Sequence, residues 1–435
     1  MRWSTRAERG VVEAVVAALS DSPEQAQEHL SALRYPEWSR SYQWLDASGL
    51  ALYFLDRLQE MGIEGALPAA TLGRLRQNLT DNRGRSSSMF NEFCTINRAF
   101  LQANVSFSNL KGFTLSPDSC PNPALRSQLD FDFLIDGEHL ERCQDILVKM
   151  GYVRNAANRT VWEFKAGSSE LARIEDHYKA RPQRSVELHF SCAAIAPHAP
   201  TRDERLDRTS LRKWGDDSYP VLAAADQFVA QALHLFSHLR SAYTRVSWLL
   251  EFRQHLTAHY DDRPFWDEVR ERSQCQPDAS VAIGLSTLLS TRLFGGRAPA
   301  QLAHWTLDRL PAPIRLWSER YGREAVLANF PGTKLYLLLE DELAQSDPDW
   351  KKRRRSSLLP RRRAPRISFP SQKESLLVRL RREYYELRFL LFRLHFHVVE
   401  GLRYLVEARR WKRQISSQRI LTPCAVTDVP RRSRG

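Results

Sequence analysis

Apolar residues recur at helical spacing through the first hundred positions. Val11–Leu19, Ser48–Gly62 and Ala70–Ala103 place apolar side chains three and four apart with few β-branched runs, so each predicts a helix. Gly62, Gly65 and Pro68 punctuate the junction between the last two. The period changes near Asn104. Val105–Leu110 reads as a short extended segment ending at Lys111-Gly112, and a polar, proline-rich loop follows over Ser116–Pro123. Leu129–Ile135 alternates apolar and acidic residues and is the clearest strand in the chain. Asp136 has the chemistry of an N-cap for a helix over Glu138–Met150, with Gly151 as its terminator. Tyr152–Arg154, Thr160–Lys165, Leu171–Lys179 and Ser185–Ser191 predict further extended segments. From Val221 the helical period returns, over Ala224–His238, Arg245–His259, Val281–Phe294, Pro311–Tyr321 and Thr333–Leu343. Beyond Pro370, apolar residues from Leu376 to Leu405 recur every three or four positions, as in one long amphipathic helix.

Helices, then strand–helix–strands, then helices again predict an α+β fold: a small mixed-sheet core flanked by N-terminal and C-terminal helical regions. The expected boundaries are 1–103 for the N-terminal helical region, 104–215 for the core and 219–345 for a C-terminal helical domain. A basic linker (346–372), a long basic amphipathic helix (373–415) and a disordered tail (416–435) complete the division. No internal repeat is visible.

Composition narrows the class. At 435 residues the chain can bury two or three cores, and 43% hydrophobic with 26% charged residues is ordinary for a soluble globular protein. No run of about 18 apolar residues exists, so no transmembrane helix is expected. Val11–Leu19, interrupted by Glu13 and lacking a cleavage pattern, does not read as a secretory signal. Six scattered cysteines support neither a disulfide framework nor a zinc site, and a reduced, cytoplasmic setting follows. The net charge of +13 divides unevenly. Residues 351–435 hold 24 Lys/Arg against 6 Asp/Glu, leaving 40 basic and 45 acidic groups elsewhere. The positive charge therefore belongs to the C-terminal segment and implies no nucleic acid at the core. That segment, over 351–413, suits a solvated surface, contact with nucleic-acid phosphates, or an acidic membrane surface that would make the protein peripheral to the membrane.

In a strand, residues i and i+2 share a face, so Leu129–Ile135 sets Asp130 beside Asp132. Adjacent carboxylates repel unless a cation lies between them, and hard oxygen ligands suit Mg2+. Val186–Phe190 repeats the pattern with Glu187 and His189 on one face. A third carboxylate there would complete a two-metal site or deprotonate an acceptor hydroxyl. Glu175 and Asp176 are neighbouring alternatives for that third position. Lys111-Gly112 fits a phosphate-contacting turn, and Arg126 could reach the same phosphates. His234 and His238, four apart, share a helix face as zinc ligands do, but the glutamate of a metalloprotease motif is absent.

The order of these pieces resembles the uncharacterised bacterial nucleotidyltransferases of the polymerase-beta-like superfamily. Asn109–Gly112 is similar to that family's leucine-lysine-glycine strand end, and Arg126 with Leu129–Leu134 to its arginine and metal-binding strand. Gly151-Tyr152, Asp176–Tyr178 and Val186–Phe190 resemble later core pieces. His234, His238, Arg245, Trp248 and Glu251 resemble its helical part, with Glu251 where aspartate is more usual, and Phe369–Ser371 with the arginine-rich helix also looks familial. The wider superfamily carries a glycine-serine pair where this chain has Lys111-Gly112. The resemblance implies Mg2+-dependent transfer of a nucleoside monophosphate from an NTP to an acceptor hydroxyl. Asp130, Asp132 and Glu187 would be the metal-binding and catalytic carboxylates, with Lys111, Gly112, Arg126 and His189 around the nucleotide. Two other readings compete: a metal-dependent glycosyltransferase using the Asp-x-Asp pair, and a non-catalytic nucleotidyltransferase-like scaffold.

Overall fold

The computed structural model describes residues 6–20, 23–167, 177–180, 184–191, 202–215, 217–344, 347–360 and 376–421. Five helices open the chain: α1 (Arg6–Leu19), α2 (Pro23–Ser31), α3 (Tyr35–Ala47), α4 (Ala51–Glu60) and α5 (Ala69–Gln102). The sheet region follows as β1 (Phe107–Leu110), β2 (Phe131–Ile135), α6 (Leu140–Lys149), β3 (Val153–Ala157), β4 (Val161–Ala166), β5 (Arg184–His189), β6 (Thr209–Trp214) and β7 (Asp217–Leu222). Helices α7 (Ala224–Leu239), α8 (Ser247–Ala258), α9 (Arg263–Gln274) and α10 (Ala279–Phe294) come next. They are followed by the shorter α11 (Ala300–Trp305), α12 (Ala312–Trp317), α13 (Arg323–Leu327) and α14 (Tyr336–Leu343). Finally come α15 (Trp350–Leu358) and α16 (Leu376–Leu421). The fold is α+β, as the pattern predicts.

The strands form one seven-stranded mixed sheet in the order β3-β4-β5-β2-β1-β7-β6. Among the described residues only β2–β5 and β1–β7 are parallel; the other pairs are antiparallel. One sheet face packs on α5 and α6. Phe131, Phe133, Val186 and Leu188 meet Phe93, Phe100 and Leu147 there, and each such side chain contributes about 1.5–3 kcal/mol by leaving water. Phe133 stands edge-on to Phe100, with centroids 5.3 Å apart. The opposite face carries a small apolar cluster of Leu134, Leu206 and Leu222 against Ala230 of α7.

A larger core joins the two ends of the chain. Trp38, Leu52 and Phe54 from the N-terminal helices belong to the same buried cluster as Phe228, Phe252 and Trp317. Helix α5 bridges the two cores, with Leu75 and Leu79 in one and Phe93, Ile96 and Phe100 in the other.

Several expectations need correction. Leu129 does not join the sheet core: it is 39% exposed, and β2 pairing begins only at Phe131 because β1 ends opposite Asp132. The hairpin β6–β7 went unpredicted, since its outer strand exposes Leu211 and Trp214 and its inner strand carries Pro220. Helices α2 and α3 were hidden by polar, aromatic-rich sequence. Of the extended segment Leu171–Lys179, residues 171–176 lie outside the described residues, and His177–Lys179 form a turn. Strand β4 pairs directly with β5 instead.

Within the basic stretch after 346, α15 forms because Trp350 is buried and its indole Nε1 donates to Asp341 Oδ1 at 2.7 Å. Helix α16 runs on to Leu421, past the position where the tail was expected to begin. Its C-terminal half docks through Tyr404, whose hydroxyl donates to Asp341 at 2.9 Å, and Trp411, whose Nε1 donates to Glu342 at 3.0 Å. The apolar stripe from Leu380 to Leu405 faces solvent. Among the described residues no helix is long and apolar enough to cross a membrane.

Asp136 caps as predicted, although its side chain accepts from Glu138 N (3.3 Å) across one 3-10 turn before α6 begins. Asp136→Ala is expected to cost about 1 kcal/mol, read as a lower urea midpoint at unchanged slope.

Candidate active site

The site lies on the sheet face turned away from α5. Antiparallel pairing sets Leu110 opposite Asp132, and parallel pairing sets Asp132 opposite Glu187 and Leu134 opposite His189. Alternation then sends Asp132, Glu187 and His189 to one face while Phe131, Phe133, Val186 and Leu188 enter the core. Asp130 lies immediately ahead of β2, and Gln128 Nε2 donates to its carbonyl at 2.9 Å.

Carboxylates opposed across neighbouring strands repel. A lysine and a histidine intervene. Lys111 Nζ donates to Asp132 Oδ1 at 2.9 Å, and His189 Nε2 lies 3.0 Å from the same oxygen and 3.3 Å from Glu187 Oε2. The electrostatics follow from this crowding. Burial and the Asp132 charge push Asp130 up to about 6, against the pull of Lys111. Burial alone would raise Asp132 too, but Lys111 and His189 hold its carboxyl below the usual range. Burial works against the charge on Lys111 and on His189, yet their acidic partners raise both.

Lys111 and Gly112 both have positive φ, 52° and 54°, which turns the chain sharply at the end of β1. For a lysine this is a strained conformation, stabilised here by its ion pair and by Thr114, whose backbone N–H donates to Lys111 O at 3.0 Å. A Cβ on Gly112 would meet Gln128 Nε2 at 2.5 Å. Gly112→Ala is therefore expected to cost about 1–2 kcal/mol. Adding Gln128→Ala should recover the contact part and leave the backbone part, a partition that paired thermal melts would resolve.

Arg126 is brought to the site but arrives paired. Its Nε donates to Glu251 Oε1 of α8 at 3.2 Å, and the same oxygen accepts from Tyr53 Oη of α4 at 3.1 Å. Burial opposes the Arg126 charge, and Glu251 more than restores it. Lys111, Arg126, His189, Glu251 and Trp248 line one cavity of about 280 Å³ between the sheet and helices α7 and α8. Arg205, held by Asp203 at 2.7 Å, also lines it, as do Gln227 and Gln231. Nothing in the local sequence marks these last three.

His234 and His238 pack on Trp248, with centroids 5.0 and 4.3 Å away. Burial and nearby Lys111 lower both imidazoles, His234 to about 2. Among the described residues neither histidine joins a group of metal-ligating side chains. Asp132, Glu187 and His189 do form such a group, their donor atoms all within 4.8 Å of one another. Glu175 and Asp176 lie outside the described residues.

A mixed sheet that gathers Asp132, Glu187 and His189, beside a helix-walled cavity that Lys111 and His189 also line, makes this an α+β protein with a candidate divalent-cation site. The chain belongs to the family described as uncharacterised nucleotidyltransferase, whose family model matches residues 35–295. The matched span covers the sheet, the cavity helices and Glu251, and stops before α11. Phe369–Ser371 and the arginine-rich helix α16 therefore lie outside it. Among solved structures, an antigenic nucleotidyltransferase-like protein from Paracoccidioides brasiliensis is similar at 12% identity and a TM-score of 0.27. That match covers 44% of this chain and 89% of the other. No curated protein matches the chain.

Proposed function

We propose that this protein is a Mg2+-dependent nucleotidyltransferase that moves a nucleoside monophosphate from an NTP to an acceptor hydroxyl. The observation that carries the reading is the juxtaposition of Asp132 and Glu187 on paired strands, with Asp130 one step away and Lys111 salt-bridged to Asp132. The donor set fits the ion. Three carboxylates offer hard oxygens, and the Lys111 ammonium occupies the position where positive charge is needed. When bound, Mg2+ offsets the charge of the triphosphate and of the transferring phosphoryl group.

The chain's own residues do the rest by placement and charge. Asp130 and Asp132 hold the cation, and Glu187 completes the set or takes the proton from the acceptor hydroxyl. Lys111 and Arg126 bear on the triphosphate, Gly112 allows its close approach, and His189 fixes the Asp132 carboxylate through Oδ1. The order of these pieces also resembles the polymerase-beta-like superfamily. A nucleotide-sugar enzyme needs a larger nucleotide-binding α/β unit ahead of its Asp-x-Asp pair, and here that stretch folds as α1–α5. A decayed scaffold would not keep all three carboxylates. A cytoplasmic setting accords with the free thiols Cys94, Cys120, Cys143 and Cys275. Segment 351–413 offers charge to an acidic membrane surface or nucleic acid.

The test is incubation of purified protein with Mg2+, four α-labelled triphosphates and a cell extract as the source of acceptors. Label should appear on a product together with pyrophosphate, and chelation should stop it. Release of nucleoside diphosphate from a nucleotide sugar, with no pyrophosphate, would overturn the assignment in favour of glycosyl transfer. So would labelling that persists in Asp130→Ala/Asp132→Ala protein.

A further inference from the structure

A second convergence of metal-ligating side chains lies away from Asp132. Helix α8 carries His255, and His259 follows one turn later on the same face, just past the helix end. Both point at the proline-rich loop, where Asp118 lies, and the donor atoms of Asp118, His255 and His259 are all within 4.8 Å of one another.

Hydrogen bonds on the far side of each ring fix what these atoms offer. His255 Nδ1 is 2.8 Å from Gln231 Oε1, which can only accept, so that nitrogen carries the proton and Nε2 a lone pair. Ser119 Oγ lies 3.0 Å from the same Nδ1 and also donates to Gln231 Oε1 at 3.0 Å. His259 Nδ1 is 3.0 Å from Asp262 Oδ2, so in the neutral ring its Nε2 carries the lone pair as well. Neither Nε2 has a hydrogen-bond partner, although His255 is only 1% exposed. The nearest Asp118 oxygen is 3.8 Å from His259 Nε2, too far for a hydrogen bond.

With both rings neutral, three lone-pair atoms face one another with no donor among them, an arrangement that buried polar groups rarely tolerate. A cation resolves it. We propose that Asp118, His255 and His259 bind Zn2+, fastening the proline-rich loop to α8. Two imidazole nitrogens and one carboxylate oxygen suit zinc, whereas Mg2+ favours oxygen alone. Asp262 behind His259 and Gln231 behind His255 are the outer partners that orient ligating histidines. The partly exposed Asp118 leaves a fourth position for water. The proposal is independent of the nucleotidyl-transfer reading, since none of its three ligands has a role in that reaction.

The test uses full-length Asp132→Asn protein, so that the Asp132–Glu187–His189 group is disabled, and zinc is titrated against a chromophoric chelator. One equivalent should bind, and Co2+ in its place should give the visible spectrum of a low-coordinate nitrogen–oxygen site. In the same background, His259→Gln and Asp118→Asn should each weaken zinc by about 100-fold or more. Both positions are partly exposed, and far-UV circular dichroism of the metal-free variants checks their folding. Zinc should raise the melting temperature of the parent and not of these variants. Absence of a zinc equivalent in the Asp132→Asn protein, or affinity unchanged by both substitutions, would overturn the site.

Discussion

Asp132→Asn is expected to lower Mg2+-dependent pyrophosphate release by about a thousandfold or more, while leaving the protein folded. Asp132 is the most enclosed of the three carboxylates and the one that Lys111 and His189 both address. Asparagine keeps the shape but removes the charge that would hold Mg2+ in the proposed reaction. The stability cost should be small for a buried position. Loss of the ion pair leaves Lys111 short of a partner, but its side chain is 31% exposed and can turn to water. At the same time, removing one charge relieves the repulsion that pushes Asp130 up. Glu187→Gln should be milder than Asp132→Asn, because Glu187 has only His189 in hydrogen-bond range where Asp132 has both Lys111 and His189. Initial rates with the nucleotide and acceptor selected by the labelling screen decide the order. A Glu187→Gln loss exceeding that of Asp132→Asn would refute this ranking.

The second large effect is on stability. Glu251→Ala is expected to cost about 3–5 kcal/mol, because it strands a guanidinium that cannot shed its proton. Glu251 is 1% exposed, and its Oε1 serves both Arg126 and Tyr53. Asn82 Nδ2 donates to the Arg126 carbonyl at 3.1 Å, which holds the backbone there in place. The double substitution Arg126→Met/Glu251→Leu should recover most of the loss, since apolar groups of similar volume replace both charges. Urea denaturation of the single and double variants separates the cases. A single-variant loss under about 1 kcal/mol would show that the pair is solvated like a surface bridge.

The alternation Leu129–Ile135 made the carboxylate face of β2 legible, and Asp136 marked the next helix start by its chemistry. The sequence also put Glu187 and His189 on one face of β5. It could not put that face beside Asp132, because strand order depends on contacts between distant segments. Lys111 was readable as a turn residue, but its ammonium bond to Asp132 depends on β1 pairing with β2 in one register. The Arg126 partner lies 125 residues downstream, beyond any local signal. Leu129 misled because alternation continues past the point where the neighbouring strand stops. The stripe of α16 was legible as a helix face, but periodicity does not say what covers that face. The group around His255 and His259 was invisible for a similar reason, since its carboxylate comes from a loop with no period at all.

The shared core of the first and last helices bears on how the chain is made. Tyr53 waits for Glu251, 198 residues later, and the Trp44 indole waits for the Leu327 carbonyl, 283 residues later. At about 5–20 residues per second, a ribosome needs on the order of 10–60 s to deliver those partners. Through that interval Trp38, Leu52 and Phe54 have only their own neighbours for cover. Nascent chains stalled before α8 should accordingly be held by chaperones or aggregate, while chains completed through α14 should release.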